Sequence, residues 1–185
     1  MKDTIAQATA GNGKNANNCG SDDFAERLAR LRSVLRGSKR VVFFGGAGVS
    51  TESGIPDFRS KDGLYNQHYA YPPEVMLSRD FFWSHTAEFF RFHREKVITP
   101  ALAAKPNAAH QTLAELEKDG HLIARVTQNI DGLHQAAGSQ NVLELHGNIH
   151  RNFCEHCQAF YPVEELLTLL DDSEVPHCTT PGCDG

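Results

Sequence analysis

The chain has 185 residues, about 40% of them apolar and eleven of them phenylalanine, which is enough for one domain, or one domain with a small satellite, around a hydrophobic core. Its formal net charge is −5 and its Lys and Arg residues form no basic cluster, which argues against a nucleic-acid partner. The first residues lack the apolar core of a secretory signal and no stretch approaches the roughly eighteen apolar residues of a membrane span, so we expect a cytoplasmic protein without a membrane partner.

The first third of the chain predicts a tail, a helix and a strand. Residues 1–21 are rich in Ala, Asn, Gly and Lys and have no apolar period, so they predict a disordered tail. An amphipathic helix is predicted over 22–36, with Asp22 as its N-cap and Gly37 as its stop. The apolar run 41–44 predicts a buried strand of a parallel sheet.

Helices and strands continue to alternate after this strand. Residues 45–54 predict a turn and a short helix, and residues 56–73 predict a long loop, which in a compact domain is often functional. The later predicted elements are helices over about 84–97, 108–118 and 131–137 and strands over 122–127 and 142–145. This alternation predicts an α/β fold with a mostly parallel sheet.

A glycine-rich segment, GGAGVSTESG at residues 45–54, directly follows the first predicted strand. Glycines at a strand-to-helix turn let the backbone approach a pyrophosphate, and the helix N-terminus supplies N–H groups and a positive dipole end. The match to the usual dinucleotide-binding pattern is partial, because Thr51 occupies the third glycine position. A tight turn without a ligand is the alternative interpretation.

Polar residues also follow the glycine segment and the second predicted strand. Asp57, Phe58 and Arg59 share a loop in which an aromatic ring could stack and a guanidinium could pair with phosphate or ribose, although an ordinary solvated loop is the alternative. The segment TQNIDGLH at 127–134 lies at the carboxyl end of a strand, where open α/β sheets bind ligands. Its polar side chains could fix a carboxamide or ribose hydroxyls, or could serve only in capping and turns.

His146 ends the third predicted strand and is followed by Gly147. A histidine there can be a general base, because its pKa lies near neutral pH. A single histidine is, however, more often an ordinary surface or core residue.

Four of the five cysteines are paired by spacing, as Cys154-x2-Cys157 and, after twenty further residues, Cys178-x4-Cys183. Such pairs form a tetrahedral four-thiolate zinc site. Four thiolates leave no open position for water or substrate, so the zinc would be structural. Two disulfides and a redox Cys-x2-Cys are the alternatives, and Cys19 is interpreted as a free thiol without a role.

Together these blocks resemble the sirtuin family, in its bacterial type. The blocks are GAGVS at 46–50 with SGIPDFRS at 53–60, TQNIDGLH at 127–134, LHGN at 145–148, and then the four cysteines. The resemblance covers about residues 22–185. Two departures are that Gly45 stands where many members have Thr, and that the chain stops after the zinc module, before the rest of the Rossmann sheet. We therefore expect a C-terminally truncated sirtuin.

The resemblance implies a Rossmann-like NAD-binding domain over 22–150, with a cofactor loop over 55–73 and a helical part over about 74–107, and a zinc-binding module over 151–185. It implies a protein-lysine deacetylase whose partner is acetylated lysine in proteins or peptides. NAD would be a consumed co-substrate, with the acyl group moving to ADP-ribose and nicotinamide released, and Zn²⁺ would be structural.

The resemblance also assigns roles to individual residues. His146 is implied to be the catalytic base on a ribose hydroxyl, with Asn129 close to the reacting ribose. The residues that it assigns to NAD are Gly46, Ala47, Gly48, Thr51, Asp57, Phe58, Arg59, Gln128, Asn129, Ile130, Asp131 and His146. Sirtuins that prefer succinyl or malonyl groups carry a Tyr and, three residues on, an Arg. Phe90 and His93 hold the matching positions here, so uncharged acyl groups are expected.

Two other functions stay open at this point. Mono-ADP-ribosyl transfer uses the same NAD chemistry with another acceptor, and the motifs do not separate it from deacylation. The chain could also be an inactive, truncated zinc-binding fragment. Whichever function holds, the open sheet edge leads us to expect that the 185-residue chain, made alone, is poorly soluble or partly unfolded and has little deacetylase activity.

Overall fold

A computed structural model of the chain describes residues 21–61, 63–66 and 69–185. The tail predicted over 1–21, apart from Ser21, and the free thiol predicted at Cys19 lie outside the described residues. The chain divides into two units between Ser38 and Lys39. None of the described helices is long and apolar enough to cross a membrane.

The described part of the first unit contains one helix, α1, Ser21–Gly37. It ends at Gly37, as predicted. It begins at Ser21, so the prediction that Asp22 is the N-cap is wrong.

The second unit is built on a three-stranded parallel sheet. Its strands are β1, Val41–Gly45, β2, Leu122–Thr127, and β3, Val142–Glu144, in the order β1-β2-β3. Gly45 pairs with Thr127, and Thr127 pairs with Glu144. All three strands therefore end at the same edge, and the predicted α/β class with a parallel sheet is confirmed.

The glycine segment after β1 does not form the predicted helix. It forms two single-turn 3-10 helices, Ala47–Val49 and Thr51–Ser53. Gly54 then takes a φ of 89°, a left-handed conformation that ends helical structure. The α-helix dipole expected at this position is therefore not provided, and any anion here would meet backbone N–H groups of a turn.

A helical region between β1 and β2 extends beyond the helix that the sequence pattern predicted over 84–97. It contains α2, Pro73–Met76, α3, Arg79–Ser84, α4, Thr86–Phe92, a π-helical turn, His93–Ile98, and α5, Thr99–Ala103. The prediction of one helix over 84–97 is wrong in both bounds. Ser78 caps α3 by accepting a hydrogen bond from Phe81 N. The π-helical turn accommodates Pro100, which has no N–H and crowds the preceding turn.

Helix α6, Ala108–Lys118, has the predicted bounds, and Asn107 and His110 form a capping box at its start. The short helix α7, Leu133–Ala136, follows β2 and lies within the predicted 131–137. The buried side chains of His110, Arg125 and His134 lie in this region. Arg125 Nη1 lies 2.9 Å from Glu117 Oε2, so the guanidinium is buried as an ion pair.

The C-terminal part of the second unit forms elements that the sequence pattern did not predict. They are the antiparallel strands β4, Arg151–Phe153, and β5, Phe160–Pro162, followed by helix α8, Val163–Asp172. Val163, Leu166 and Leu170 of α8 pack with Ile98 of the π-helical turn in one core cluster. This packing joins the cysteine-bearing segment to the helical region.

Candidate functional site

The carboxyl ends of β1 and β2 bring two sequence motifs side by side. Gln128 N donates a hydrogen bond to Gly45 O at 3.0 Å, which extends the strand pairing by one residue. A Cβ built on Gly46 would meet only Gln128 Oε1, at 3.9 Å, and one on Gly48 would meet nothing within 4 Å. The glycine backbone therefore borders open space, which suits the approach of a ligand.

A buried network of side-chain hydrogen bonds connects the glycine segment to the segment 127–134. Ser50 Oγ donates to Asp131 Oδ2 at 2.7 Å, and Asn129 Nδ2 donates to Ser50 Oγ at 2.9 Å and to Asp131 Oδ2 at 3.3 Å. Leu133 N donates to the other carboxylate oxygen at 2.9 Å. Ser50 is completely buried and Asp131 nearly so. Because every donor is directed at one carboxylate, the Asn129 amide is held in a fixed orientation.

The loop that carries Asp57, Phe58 and Arg59 is stabilised by contacts within the loop. Asp57 Oδ1 accepts from Ser60 N at 2.8 Å, and hydrogen bonds from Ser60 hold the pKa of Asp57 below its ordinary value. A Cβ on Gly63 would lie 2.8 Å from both Asp57 Oδ1 and Phe58 C, so only glycine fits there. Phe58 contacts Tyr65 at 5.3 Å between ring centroids yet stays partly exposed, so its face can meet a ligand.

The remaining predicted cofactor residues lie on the same turns. Thr51 Oγ1 donates to Gly48 O at 3.0 Å and closes the turn of the glycine segment. Ile130 O accepts from Ile149 N at 2.9 Å, which ties the end of β2 to the segment after β3. Asn107 also donates to Val49 O at 2.8 Å. Ser50 and Asn107 were absent from the predicted site, although Ser50 lies within the glycine motif.

His146 lies on the exposed segment after β3. Its Nδ1 is 3.0 Å from the carbonyl O of Gln128. When Nδ1 carries the proton and donates it to that carbonyl, Nε2 is left as a proton acceptor. This is the arrangement that a general base requires.

His146 faces a cavity of about 1230 Å³. Phe82, Phe89, Phe90 and His93 of the helical region line it together with residues 151–156 and 158. His93 stacks on Phe89 with ring centroids 5.4 Å apart, and burial lowers its pKa to about 4. His93 is therefore neutral at pH 7, and the wall that it shares with Phe90 is uncharged at these positions.

The four predicted zinc ligands meet in one cluster. Their sulfur atoms all lie within 4.8 Å of one another, with Cys154 Sγ 3.8 Å from Cys183 Sγ and Cys157 Sγ 3.5 Å from Cys178 Sγ. A tetrahedral zinc site with Zn–S bonds of about 2.3 Å has sulfur–sulfur edges of about 3.8 Å. A disulfide needs about 2.05 Å, so the two-disulfide alternative is wrong for this structure.

The surroundings of the sulfurs also fit a bound cation. Backbone N–H groups of Cys157, Thr180 and Gly185 donate to sulfurs at 3.4–3.5 Å. The Gly185 N–H lowers the pKa of Cys183, but burial and the three neighbouring sulfurs outweigh it and raise that pKa to about 12. Four such close sulfurs can all be thiolates at neutral pH only beside a cation, which a zinc ion provides.

Tyr161 is a polar neighbour of this cluster that the sequence motifs did not indicate. Its hydroxyl donates to Cys178 Sγ at 3.1 Å and accepts from Thr179 N at 2.7 Å. The ring is buried. Tyr161 therefore fixes the backbone and the sulfur of one ligand at the same time.

Comparisons with known proteins agree with these features. A sequence model described as the Sir2 family matches residues 46–184. A curated NAD-dependent protein deacetylase from Clostridium acetobutylicum is 53% identical over 159 residues, which is 85% of this chain and 63% of that protein. The chain thus spans less than two thirds of the length of this relative.

Solved structures of Sir2 proteins are also similar to this chain. A Sir2 variant with a deacetylated p53 peptide and 3′-O-acetyl ADP-ribose has a TM-score of 0.77 and 43% identity, over 84% of this chain and 61% of that one. A Sir2 with a p53 peptide and NAD⁺ has a TM-score of 0.72 and 45% identity, over 84% and 60%.

Proposed function

The chain belongs to the Sir2 family, and on that premise we propose that the protein is an NAD-dependent protein-lysine deacetylase. It transfers the acetyl group of a modified lysine to ADP-ribose and releases nicotinamide. The observation that carries this proposal is the hydrogen bond between His146 Nδ1 and Gln128 O. This hydrogen bond leaves Nε2 of His146 as a proton acceptor. It does so at the carboxyl end of β2, where the glycine segment is hydrogen-bonded to Asp131.

The proposed NAD site consists of the open backbone after β1, the partly exposed loop and the end of β2. Its residues are Gly46, Ala47, Gly48, Thr51, Asp57, Phe58, Arg59, Gln128, Asn129, Ile130, Asp131 and His146. When bound, NAD supplies the electrophilic ribose carbon and the hydroxyl that receives the acetyl group. Phe58 offers an aromatic face that excludes water from that carbon.

The side chains of the site then have separate tasks. His146 takes a proton at Nε2 from a ribose hydroxyl, while Gln128 O keeps the Nδ1 proton in place. Ser50 and Asp131 fix the orientation of the Asn129 amide, which would contact the ribose of bound NAD. Acetyl-lysine, NAD and water together give lysine, nicotinamide and O-acetyl-ADP-ribose, so the atoms balance.

The proposed protein substrate enters through the cavity that His146 lines. Its aromatic wall suits an uncharged acyl chain, and the net charge of −5 gives no reason to expect nucleic acid or a membrane surface as partner. We place the boundary between NAD-binding domain and zinc module at residues 150 and 151. Four reduced thiols suit a cytoplasmic location.

The experiment is a product assay with NAD and an acetylated peptide. Mass spectrometry should find equal amounts of deacetylated peptide, nicotinamide and acetylated ADP-ribose. The same peptide with unmodified lysine should release no nicotinamide. A peptide that gains ADP-ribose and keeps its acetyl group would replace deacetylation with ADP-ribosyl transfer, and the absence of NAD consumption would overturn both.

A further inference from the structure

Glu144, the last residue of β3, has a buried carboxylate with three side-chain partners. Gln135 Nε2 donates to Oε1 at 2.7 Å, Asn148 Nδ2 also donates to Oε1, and Arg151 Nη2 pairs with Oε2. Only 7% of the side chain is exposed. Burying a carboxylate is costly unless it is paired and hydrogen-bonded, and here both oxygens are.

The partners of Glu144 enclose the segment that carries His146. Asn148 lies in the turn after His146, and its Oδ1 accepts from His150 N at 2.9 Å. Arg151 begins β4. The Glu144 carboxylate therefore bonds to the middle and to the far end of the segment 145–151, which it immediately precedes.

Backbone hydrogen bonds fix this segment at two other points. Leu145 N donates to Thr127 O at 3.0 Å, and Ile149 N donates to Ile130 O at 2.9 Å. Between them Gly147 takes a φ of 82°, a conformation that is easily reached by glycine and so adds little rigidity. Within the turn beside His146, the side chain of Asn148 adds a further attachment, which is to Glu144.

The charge of Glu144 is stable under the conditions in which a general base works. Burial raises the pKa of Glu144, but hydrogen bonds from Asn148, Arg151 and Gln135 outweigh it, so that pKa lies below its ordinary value. Arg151 also lines the cavity that His146 lines. The Glu144 carboxylate is therefore the ion-pair partner of an arginine that lines this cavity.

We propose that Glu144 is a positioning residue for His146, because its carboxylate holds Asn148 and Arg151 so that the intervening turn presents Nδ1 of the imidazole to Gln128 O and leaves Nε2 as the proton acceptor. The kinetic part of this inference rests on the proposed deacetylase function. The structural part concerns the tautomer and orientation of one imidazole, and it can be measured without turnover.

The test compares Glu144→Gln, the double variant Glu144→Gln with Arg151→Gln, and the matched control Glu115→Gln, which changes an exposed glutamate on α6. In ¹⁵N-edited spectra the His146 imidazole of the unchanged chain should be the Nδ1–H tautomer. Glu144→Gln should give a mixture of tautomers and lower kcat on the order of 10- to 100-fold, with KM for the peptide changed less than threefold. The double variant, in which two amides can pair, should recover part of kcat.

Zinc content and melting temperature are measured for each variant, and Asn148→Ala provides a milder change should Glu144→Gln fail to fold. Asn148→Ala should also mix the tautomers. A folded Glu144→Gln, or in its place Asn148→Ala, with the unchanged imidazole spectrum would overturn the proposal. If the unchanged chain lacks deacetylase activity, the proposed function fails, and the spectra still decide the positioning role.

Discussion

The imidazole rings of His110 and His134 lie 4.8 Å apart, edge to face, and both are buried. Burial lowers the pKa of His110, although Asp131 opposes this. Burial, and the charges of His110 and Arg125, lower the pKa of His134 to about 4, again against the effect of Asp131. Both rings are therefore neutral in the folded protein at neutral pH.

This pair predicts a loss of stability in mild acid. An unfolded histidine has a pKa of about 6.5, so the unfolded chain takes up protons first as the pH falls from about 6.5 toward 4. The contribution of the neutral His134 to the free energy of unfolding is fully present above pH 6.5 and is lost as the pH falls toward 4. Between pH 7.5 and pH 5 it amounts to about 2 kcal/mol of unfolding free energy, measurable by urea denaturation at each pH.

His134→Gln should reduce this pH dependence, whereas His121→Gln, which changes an exposed histidine, should leave it unchanged. Zinc release in acid affects all these variants alike, so it cancels in the comparison. Equal pH dependence in His134→Gln and the unchanged chain would contradict the assignment.

For His146, the expected result of substitution is loss of chemistry without loss of fold. His146→Ala should lower the rate of deacetylation about 10²–10⁴-fold, which is the usual contribution of a general base. Its zinc content should be normal. His150→Ala, four residues along the same segment, should change the rate only slightly. Near-normal turnover in His146→Ala would remove this residue from the mechanism.

Substitution of a zinc ligand should destabilise the protein, because structural zinc contributes folding free energy directly. Cys154→Ser or Cys178→Ser should bind no zinc at stoichiometric concentration and should aggregate or melt at a lower temperature. Cys19→Ser is the control and should keep one zinc per chain. An unchanged melting temperature in the metal-free ligand variants would show that the metal is not structural.

Tyr161→Phe should have a smaller effect on the same site. It removes the hydroxyl that donates to Cys178 Sγ and accepts from Thr179 N, while the buried ring is kept. Loss of such a partner typically weakens metal binding by about 10- to 100-fold. Competition with a chromophoric chelator measures this, and zinc affinity equal to that of the unchanged chain would refute the role.

Acyl preference follows from the uncharged wall formed by Phe90 and His93. A neutral His93 provides no cation for a succinyl carboxylate, and Phe90 provides no hydroxyl. An acetylated peptide should therefore react at least tenfold faster than its succinylated counterpart, since an unpaired buried charge is costly. Faster desuccinylation would contradict this.

The double variant Phe90→Tyr with His93→Arg should show the opposite preference, because it introduces the hydroxyl and the guanidinium that bind a succinyl carboxylate. Its rate with the succinylated peptide should rise relative to its rate with the acetylated peptide. His85→Arg is the control, because it adds a guanidinium to a neighbouring turn where the ring stacks on Phe81. It should leave the ratio of the two rates unchanged.

The sheet was predictable because its strands are short, mostly apolar segments that alternate with helical patterns along the chain. The bounds predicted for β2 and α6 agree with the structure. Strands β4 and β5 were not predictable, since β4 begins with the polar pair Arg151 and Asn152 and β5 ends in Pro162, so neither is an apolar run. Helix α8 does carry a signal in the sequence, because Val163, Leu166 and Leu170 have helical spacing.

The residues of the site follow from motifs, but most of their contacts do not. Ser50 and Asp131 lie 81 residues apart in the chain, so no local pattern joins them. Glu144 looks like an ordinary polar position of an alternating strand, and its partners come from three separate points of the sequence. Only the folded chain shows that this carboxylate is buried.

The cysteine cluster joins residues that are closer in the sequence than those joined by the hydrogen bonds of Asp131, and this affects the order in which the protein folds. Cys154 and Cys183 are 29 residues apart, whereas Ser50 and Asp131 are 81 apart. Closing a shorter loop costs less chain entropy, and structures with local contacts form faster. The cysteine-bearing segment should therefore fold before the parallel sheet, and refolding should show an early phase whose rate depends on zinc concentration and a later phase whose rate does not.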